Sequence, residues 1–207
     1  LGVFGGSFEH EFESPPPEWT RPHWGVLAIR PVHRSVWSND IEHYEATPVG
    51  AGMCLRREVA CRYAEEMKTH PMRRALDRTG TSLSSGGDTD LVFTCLSMGL
   101  GMGRFRELAI THLIPPQRLT AEYFERLYEA TGYAEHLLNH IWARKSSGVD
   151  ARGLARLFKL GLQAVVRDLR GRRFLRAQQR GALRARSDTG KMADSVHAGT
   201  GTGGDIT

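Results

Sequence analysis

Two aspartates and one histidine are the side chains best placed to carry chemistry in this sequence. Asp88 and Asp90 stand in the run GGDTDL, and His112 ends the run AITH. A glycine turn at residues 50–53, GAGM, precedes them, and glycine allows the backbone to approach a ligand closely. These groups could hold a divalent cation, or could divide into one general base and one metal ligand. Residues two apart do not share a helix face, so the spacing favours different roles for the two aspartates.

The alternative interpretation of these residues is purely structural. In that interpretation both aspartates cap a helix, because acidic side chains in the first turn are favoured by the helix dipole. His112 then only marks the end of a strand. Spacing alone leaves both interpretations open.

Trp19 is the aromatic candidate for carbohydrate recognition. It lies in FESPPPEWTRP, residues 12–22, which three consecutive prolines mark as a loop. A sugar ring can stack on an exposed indole, whereas in the other interpretation the tryptophan anchors the loop to the core.

Hydrophobic periodicity predicts the elements that position these residues. A strand is predicted at 107–114 and helices at 55–68, 88–98, 120–143 and 152–180, the third with Thr120 as its N-cap. Residues 187–207 are rich in Gly, Ser and Thr, which predicts a disordered tail. The 207 residues, 40% of them hydrophobic, are enough for one sizeable core.

Charge is distributed unevenly along the chain. Residues 141–186 carry 13 Lys and Arg against two acidic residues, although the net charge of the whole chain is only +5. The remainder is therefore acidic on balance. The predicted helix 152–180 is basic and amphipathic, which is typical of a segment that lies on a membrane surface. A helix packed on the domain with solvated arginines is the alternative.

Composition also bounds the location of the protein. No apolar run approaches the roughly 18–20 residues that a membrane-spanning helix needs. The three cysteines, Cys54, Cys61 and Cys95, have no CxxC spacing, which favours free thiols in a reducing cytosol. The chain begins with Leu1 and without the pattern of a signal peptide, so we expect a cytoplasmic fragment of a longer protein.

Three segments in order resemble the C-terminal half of bacterial family 2 glycosyltransferases, which are inverting enzymes of GT-A fold. The segments are GAGMCLRREVA, SGGDTDLVFTCLSMGLGMGRFRELAITHLIP and RLTAEYFERLYEATGY. The resemblance implies an α/β fold, a partial Rossmann-like domain whose nucleotide-binding half would precede residue 1. It covers residues 1–140, which would be the acceptor side of that domain. A basic helical arm, 141–186, and a tail, 187–207, would follow.

The resemblance also implies a role for each candidate residue. Asp88 matches the catalytic base of the family, Asp90 the acid that follows it, and His112 a ligand of the divalent metal, Mg²⁺ or Mn²⁺. The segment that lines the substrate cleft matches Gly50, Ala51, Gly52 and Met53. The family usually has glutamate immediately before the base, whereas this chain has Gly87.

The implied function is transfer of a sugar from a nucleotide-sugar donor to a saccharide or lipid-linked acceptor in polysaccharide biosynthesis. Peripheral contact with the inner membrane through residues 152–180 is expected, and nucleic acid is not an expected partner. Two other classes stay open: a non-catalytic remnant of the same fold, and a nucleic-acid-binding module that uses the arginine-rich arm. The arm contains few aromatic residues between its arginines, which weighs against the last class.

Overall fold

The protein is mixed α/β, with a small four-stranded mixed sheet and helices. The computed structural model describes residues 1–143 and 169–199. The strands are β1 (Val3–Phe12), β2 (Val36–Ser38), β3 (Cys54–Leu55) and β4 (Met102–Ile114). The α-helices are α1 (Arg57–Thr69), α2 (Pro71–Arg74), α3 (Gly87–Ser97), α4 (Ala121–Ala143) and α5 (Leu169–Gly199). Short 3-10 helices span Glu18–Leu27, Tyr44–Ala46 and Pro116–Leu119.

The sheet has the order β2-β4-β1-β3. The two central strands, β1 and β4, run parallel over their whole length, while β2 and β3 are short and antiparallel to their neighbours. The register shifts after Gly6, which pairs with Phe105, whereas the next residue, Ser7, pairs with Ala109. A Cβ atom at Gly6 would overlap the carbonyl oxygen of Leu108. Glycine is therefore required where β4 bulges toward β1.

Apolar side chains form two clusters. The larger lies between the sheet and helices α1 to α4 and includes Val3, Val59, Val92, Met102 and Leu137. The smaller lies between the first 3-10 helix, the end of β4 and helices α4 and α5, and includes Leu27, Ile114, Phe124 and Phe174. The larger cluster supports the segments that carry Asp88 and the 50–53 turn.

Helices α4 and α5 pack closely along their lengths. A Cβ atom at Gly132 would overlap the backbone of Gln178, and one at Gly181 would overlap the carbonyl oxygen of Glu129. Ion pairs join Glu125 and Glu129 of α4 to three arginines of α5 at 2.5–3.7 Å: Arg173, Arg180 and Arg184. This part of the basic arm therefore packs on the domain, and three of its arginines are paired with glutamates of α4.

The structure confirms three of the four predicted helices and the N-cap. The predictions at 55–68, 88–98 and 120–143 match α1, α3 and α4 within two residues at each end. The N–H of Tyr123 donates to Thr120 Oγ1 at 3.2 Å, as an N-cap requires. Of the fourth prediction, 152–180, residues 152–168 lie outside the described residues, and residues 169–180 form the start of α5.

Three sequence predictions are wrong in extent. The loop predicted at residues 12–22 ends early, because a 3-10 helix that contains Trp19 begins at Glu18. The strand predicted at 107–114 begins earlier, at Met102, because the bulge accommodates residues 106–108 within β4. The tail predicted to be disordered from residue 187 instead continues α5 through Gly199. Ala185 and Thr189 are buried there, so packing at the start of this segment outweighs its poor helix-forming composition.

No helix in the described ranges is long and apolar enough to cross a membrane.

Replacing Gly181 by alanine is expected to lower the free energy of unfolding by about 1–3 kcal/mol, because the new methyl group overpacks the α4–α5 crossing. Replacing glycine by alanine inside a helix ordinarily raises the free energy of unfolding by up to ~1 kcal/mol. A decrease in Gly181→Ala would therefore by itself show that the two helices are in close contact there. The matched control is Gly190→Ala in the same helix, where a Cβ atom meets nothing within 4 Å. Urea denaturation of both variants measures the effect, and stabilisation by Gly181→Ala would contradict the packing.

Candidate functional site

The glycine turn at residues 50–53 is directly bonded to Asp88. The N–H of Gly50 donates to Asp88 Oδ2 at 3.0 Å, and Met53 N–H donates to the carbonyl of Gly50 at 3.2 Å, which closes the turn. Gly52 has φ +67°, a left-handed conformation that glycine adopts without strain. The structure thus brings together two segments that the sequence singled out, the 50–53 turn and the aspartate at position 88.

Asp88 lies in the first turn of α3, and both of its carboxylate oxygens are held. Oδ2 accepts the Gly50 hydrogen bond, and Oδ1 accepts the N–H of Thr89 at 2.8 Å. The side chain is half-buried, while Gly50 and Ala51 are exposed and Met53 is half-buried beside it. A carboxylate oriented in this way at an exposed loop can accept a proton from a bound hydroxyl group.

A second carboxylate, Asp77, lies beside Asp88. A Cβ atom at Gly87 would overlap Asp77 Oδ1, so the absence of a side chain at position 87 makes room for this carboxyl group. Burial and the neighbouring charge of Asp88 raise the pKa of Asp77. Sequence reasoning did not single out Asp77; the only signal was glycine at the position where the resembled family carries an acid.

Tyr63 of α1 completes the surroundings of the α3 N-terminus. Its hydroxyl group donates to the carbonyl of Gly87 at 3.2 Å. Burial, followed by the charges of Asp90 and Asp77, raises the pKa of Tyr63 well above its usual range, so the phenol stays protonated. The sequence placed Tyr63 on the apolar face of its helix, which concealed this polar contact.

His112 lies on β4, away from the carboxylates but on the same side as the glycine turn. A Cβ atom at Gly52 would lie 3.0 Å from Ile110 Cδ1, and residues 110 and 112 share a strand face about 7 Å apart. The imidazole meets the ring of Phe8 edge-on, with 5.9 Å between centroids. Burial and the charges of Arg118 and His10 lower the pKa of His112, which favours the neutral form that binds metals. Its Nδ1 is buried with no hydrogen-bond partner.

Asp90 is a correction to the sequence prediction, because it cannot contact a substrate. Its side chain is 0% exposed and pairs with Arg73 at 3.0 Å. The other carboxylate oxygen accepts the indole N–H of Trp142 at 2.8 Å. Arg73, itself 1% exposed, also pairs with Glu66 at 2.5 Å and donates to Thr94 Oγ1 at 3.0 Å. Asp90 therefore ties α3 to α2 and α4 through a buried ion pair and a hydrogen bond.

Trp19 belongs to the second apolar cluster rather than to the glycine turn. Its ring packs against Phe124 and Phe174 at centroid distances of 5.5 and 6.3 Å, and Arg170 lies over it at 5.1 Å. The structure favours the anchoring interpretation of this residue over sugar stacking.

Within residues 1–143 and 169–199, no three His, Cys, Asp or Glu side chains converge in a way that could hold a metal ion. Asp77 and Asp88 supply two carboxylates, and His112 is not grouped with them. These side chains do not form a metal site by themselves, so the metal that the resemblance implies stays a prediction.

Searches for relatives of the chain found no matching family model, no matching curated protein and no matching solved structure. The chemistry of the site therefore rests on its own geometry and on the motifs of the sequence.

Proposed function

We propose that this chain is the acceptor-side part of an inverting glycosyltransferase of GT-A fold, with Asp88 as its catalytic base. The hydrogen bond from Gly50 N–H to Asp88 Oδ2 carries the proposal, because it joins two motifs that lie 38 residues apart. The resemblance assigns both motifs to one cleft, and their contact supports that assignment. The GT-A architecture is part of the proposal and rests on the order of the motifs.

In the proposed reaction an acceptor hydroxyl group binds against Asp88, which takes its proton as the oxygen attacks the anomeric carbon. The bond from that carbon to the phosphate oxygen breaks, and the nucleoside diphosphate departs. One base suffices, since attack from the opposite face inverts the anomeric configuration without a covalent sugar intermediate. The 50–53 turn holds the carboxylate in place, and its exposed glycines leave space for the acceptor.

The experiment is a screen of sugar donors. The protein tested is this chain together with any residues that its gene encodes in frame before residue 1. UDP-glucose, UDP-N-acetylglucosamine and GDP-mannose are incubated with an acceptor mixture from bacterial membranes and Mg²⁺ or Mn²⁺. We expect release of the nucleoside diphosphate. We also expect NMR to show a β-configured anomeric carbon in the product formed from an α-linked donor. Retention of configuration would contradict the proposal, and no turnover of any nucleotide sugar would favour the remnant interpretation. DNA binding of the arm is the third outcome, against which the ion pairs of Arg173, Arg180 and Arg184 argue.

The divalent cation enters the proposal through His112. If this imidazole ligates Mg²⁺ or Mn²⁺, its removal in His112→Ala should raise the metal concentration needed for half-maximal transfer by at least about 10-fold, because loss of even an outer-shell partner of a ligand costs about 10–100-fold in metal affinity. The matched control is His33→Ala, which removes an exposed histidine. A metal requirement that is the same in His112→Ala and in the parent protein would remove His112 from the site.

Cytoplasmic location and peripheral contact with the inner membrane belong to the same proposal. They follow from composition and from the amphipathic pattern of residues 152–180. Within that range, Arg173 and Arg180 are paired with α4, so the membrane contact is proposed for the residues before α5.

A further inference from the structure

Arg104 is a buried cation that makes no ion pair within 4.0 Å among the described residues, although the carboxylate of Glu45 lies near enough for its charge to favour the cation. It lies on β4, opposite Gly5 of β1 and Val36 of β2, and is only 4% exposed. One guanidinium nitrogen donates to the carbonyl of Arg30, and Nε is buried with no hydrogen-bond partner. None of the ion pairs among the described residues includes Arg104, and burial of a charge is costly unless an opposite charge or a full set of hydrogen bonds compensates it.

A second cation, Arg30, stands next to Arg104. Its guanidinium lies over the ring of Tyr44 at 4.0 Å from the centroid and donates to the Tyr44 carbonyl at 3.2 Å. Burial, followed by repulsion from Arg30, lowers the pKa of Arg104 to about 10, and the charges of Tyr44 and Glu45 offset only part of this effect. A purely structural arginine, placed to hold the Arg30 carbonyl, gains nothing from a like charge at this position.

We propose that Arg30 and Arg104 form a binding site for an oxyanion of the substrate, a phosphate or a carboxylate group. Two guanidinium groups present several N–H donors, a pattern that matches the oxygens of these anions. The bound anion would offset the repulsion between the two cations and supply the partner that Nε of Arg104 lacks. Arg30 is half-buried, so a ligand reaches the pair through it.

The site lies within reach of Asp88. One short segment, residues 44–50, connects the two sites. The carbonyl of Tyr44 at its start accepts a hydrogen bond from Arg30, and the N–H of Gly50 at its end donates to Asp88. The six Cα–Cα steps from Tyr44 to Gly50 span at most about 22 Å even when fully extended, which is comparable to the length of a nucleotide sugar or a phosphorylated saccharide. The identity of the molecule that carries the anion rests on the proposed glycosyltransferase function, whereas the binding of an oxyanion does not.

The experiment is titration calorimetry of the whole chain with inorganic pyrophosphate, UDP and glucuronate, each at constant ionic strength. We expect saturable binding of at least one probe, weakened about 10-fold or more in Arg30→Gln and Arg104→Gln, since a hydrogen bond to a charged group contributes about 1.5–3 kcal/mol. The matched control, Arg34→Gln, removes an exposed arginine of the same segment and should bind as the parent does. Preference for pyrophosphate and UDP identifies a phosphate site, and preference for glucuronate a carboxylate site.

Two results would overturn the proposal: no saturable binding of any probe to the parent chain, or equal affinity in Arg30→Gln and the parent. Because Arg30 is half-buried, its variant tests the site even if Arg104→Gln does not fold, and circular dichroism shows which variants are native. Asp88→Asn should keep the oxyanion affinity. Loss of transfer in that variant with intact anion binding separates this site from the proposed catalytic base.

Discussion

Replacing Asp90 by alanine should lower the free energy of unfolding by about 3–5 kcal/mol. The change removes one of the two carboxylates that pair with Arg73, which is 1% exposed. Glu66 still pairs with Arg73, so the loss should lie toward the lower end of this range, the cost of breaking a buried ion pair. The indole N–H of Trp142 loses its acceptor as well. Because a domain of this size is stabilised by only about 5–15 kcal/mol, the variant should be close to unfolding.

Urea denaturation followed by circular dichroism measures this effect. The matched control is Asp40→Ala, which removes an exposed aspartate from a turn and should change stability by less than about 1 kcal/mol. Asp90→Asn keeps an acceptor for Trp142 but removes the charge, so its loss should fall between the two. A loss below about 1 kcal/mol in Asp90→Ala, or a change in donor turnover without any loss of stability, would return Asp90 to the substrate site.

Local patterns were enough to predict the helices α1, α3 and α4 but not the sheet. Helix α4 carries its own 3.6-residue periodicity and N-cap, so its position could be predicted without knowledge of any other element. The sheet depends on pairing across the chain, and β3 consists of only Cys54 and Leu55, too short to leave a pattern. The bulge at Gly6 is a property of two strands together, which no single segment encodes.

The same division applies to the candidate site. The resemblance implies that the glycine turn and Asp88 line one cleft, and the Gly50–Asp88 hydrogen bond shows that the two segments are in contact. The sequence did not predict that Asp77 lies beside Asp88, because this contact depends on the path by which the loop before α3 brings Asp77 back to Gly87. Asp90 was misassigned because one sequence spacing suits both a substrate contact and a buried ion pair, and only burial distinguishes them.

Asp88→Asn should reduce sugar transfer by about 10²–10⁴-fold, the usual contribution of a positioned general base. The amide is nearly the same size as the carboxylate and can still accept the Gly50 N–H through its oxygen, so the turn at 50–53 should keep its conformation. The amide nitrogen then replaces Oδ1, so only the local hydrogen bond from Thr89 N–H is lost. Donor binding, measured by calorimetry with the nucleotide sugar, should therefore stay nearly unchanged. The loss is expected in kcat, since the missing step is proton removal from the acceptor.

Asp77 supplies the sharpest control for this assignment, because it is the other carboxylate within the site. The pKa of Asp77 is raised toward neutral pH, and a general base is most effective when its pKa is near the working pH. Asp88, in contrast, is the carboxylate that is hydrogen-bonded to the 50–53 turn. If Asp88 is the base, Asp77→Asn should retain transfer within about 10-fold of the parent, while Asp88→Asn loses far more. The reverse order would move the base to Asp77 and leave Asp88 as the residue that positions the turn. Equal losses in both variants, with native circular dichroism, would mean that the two carboxylates act as one unit.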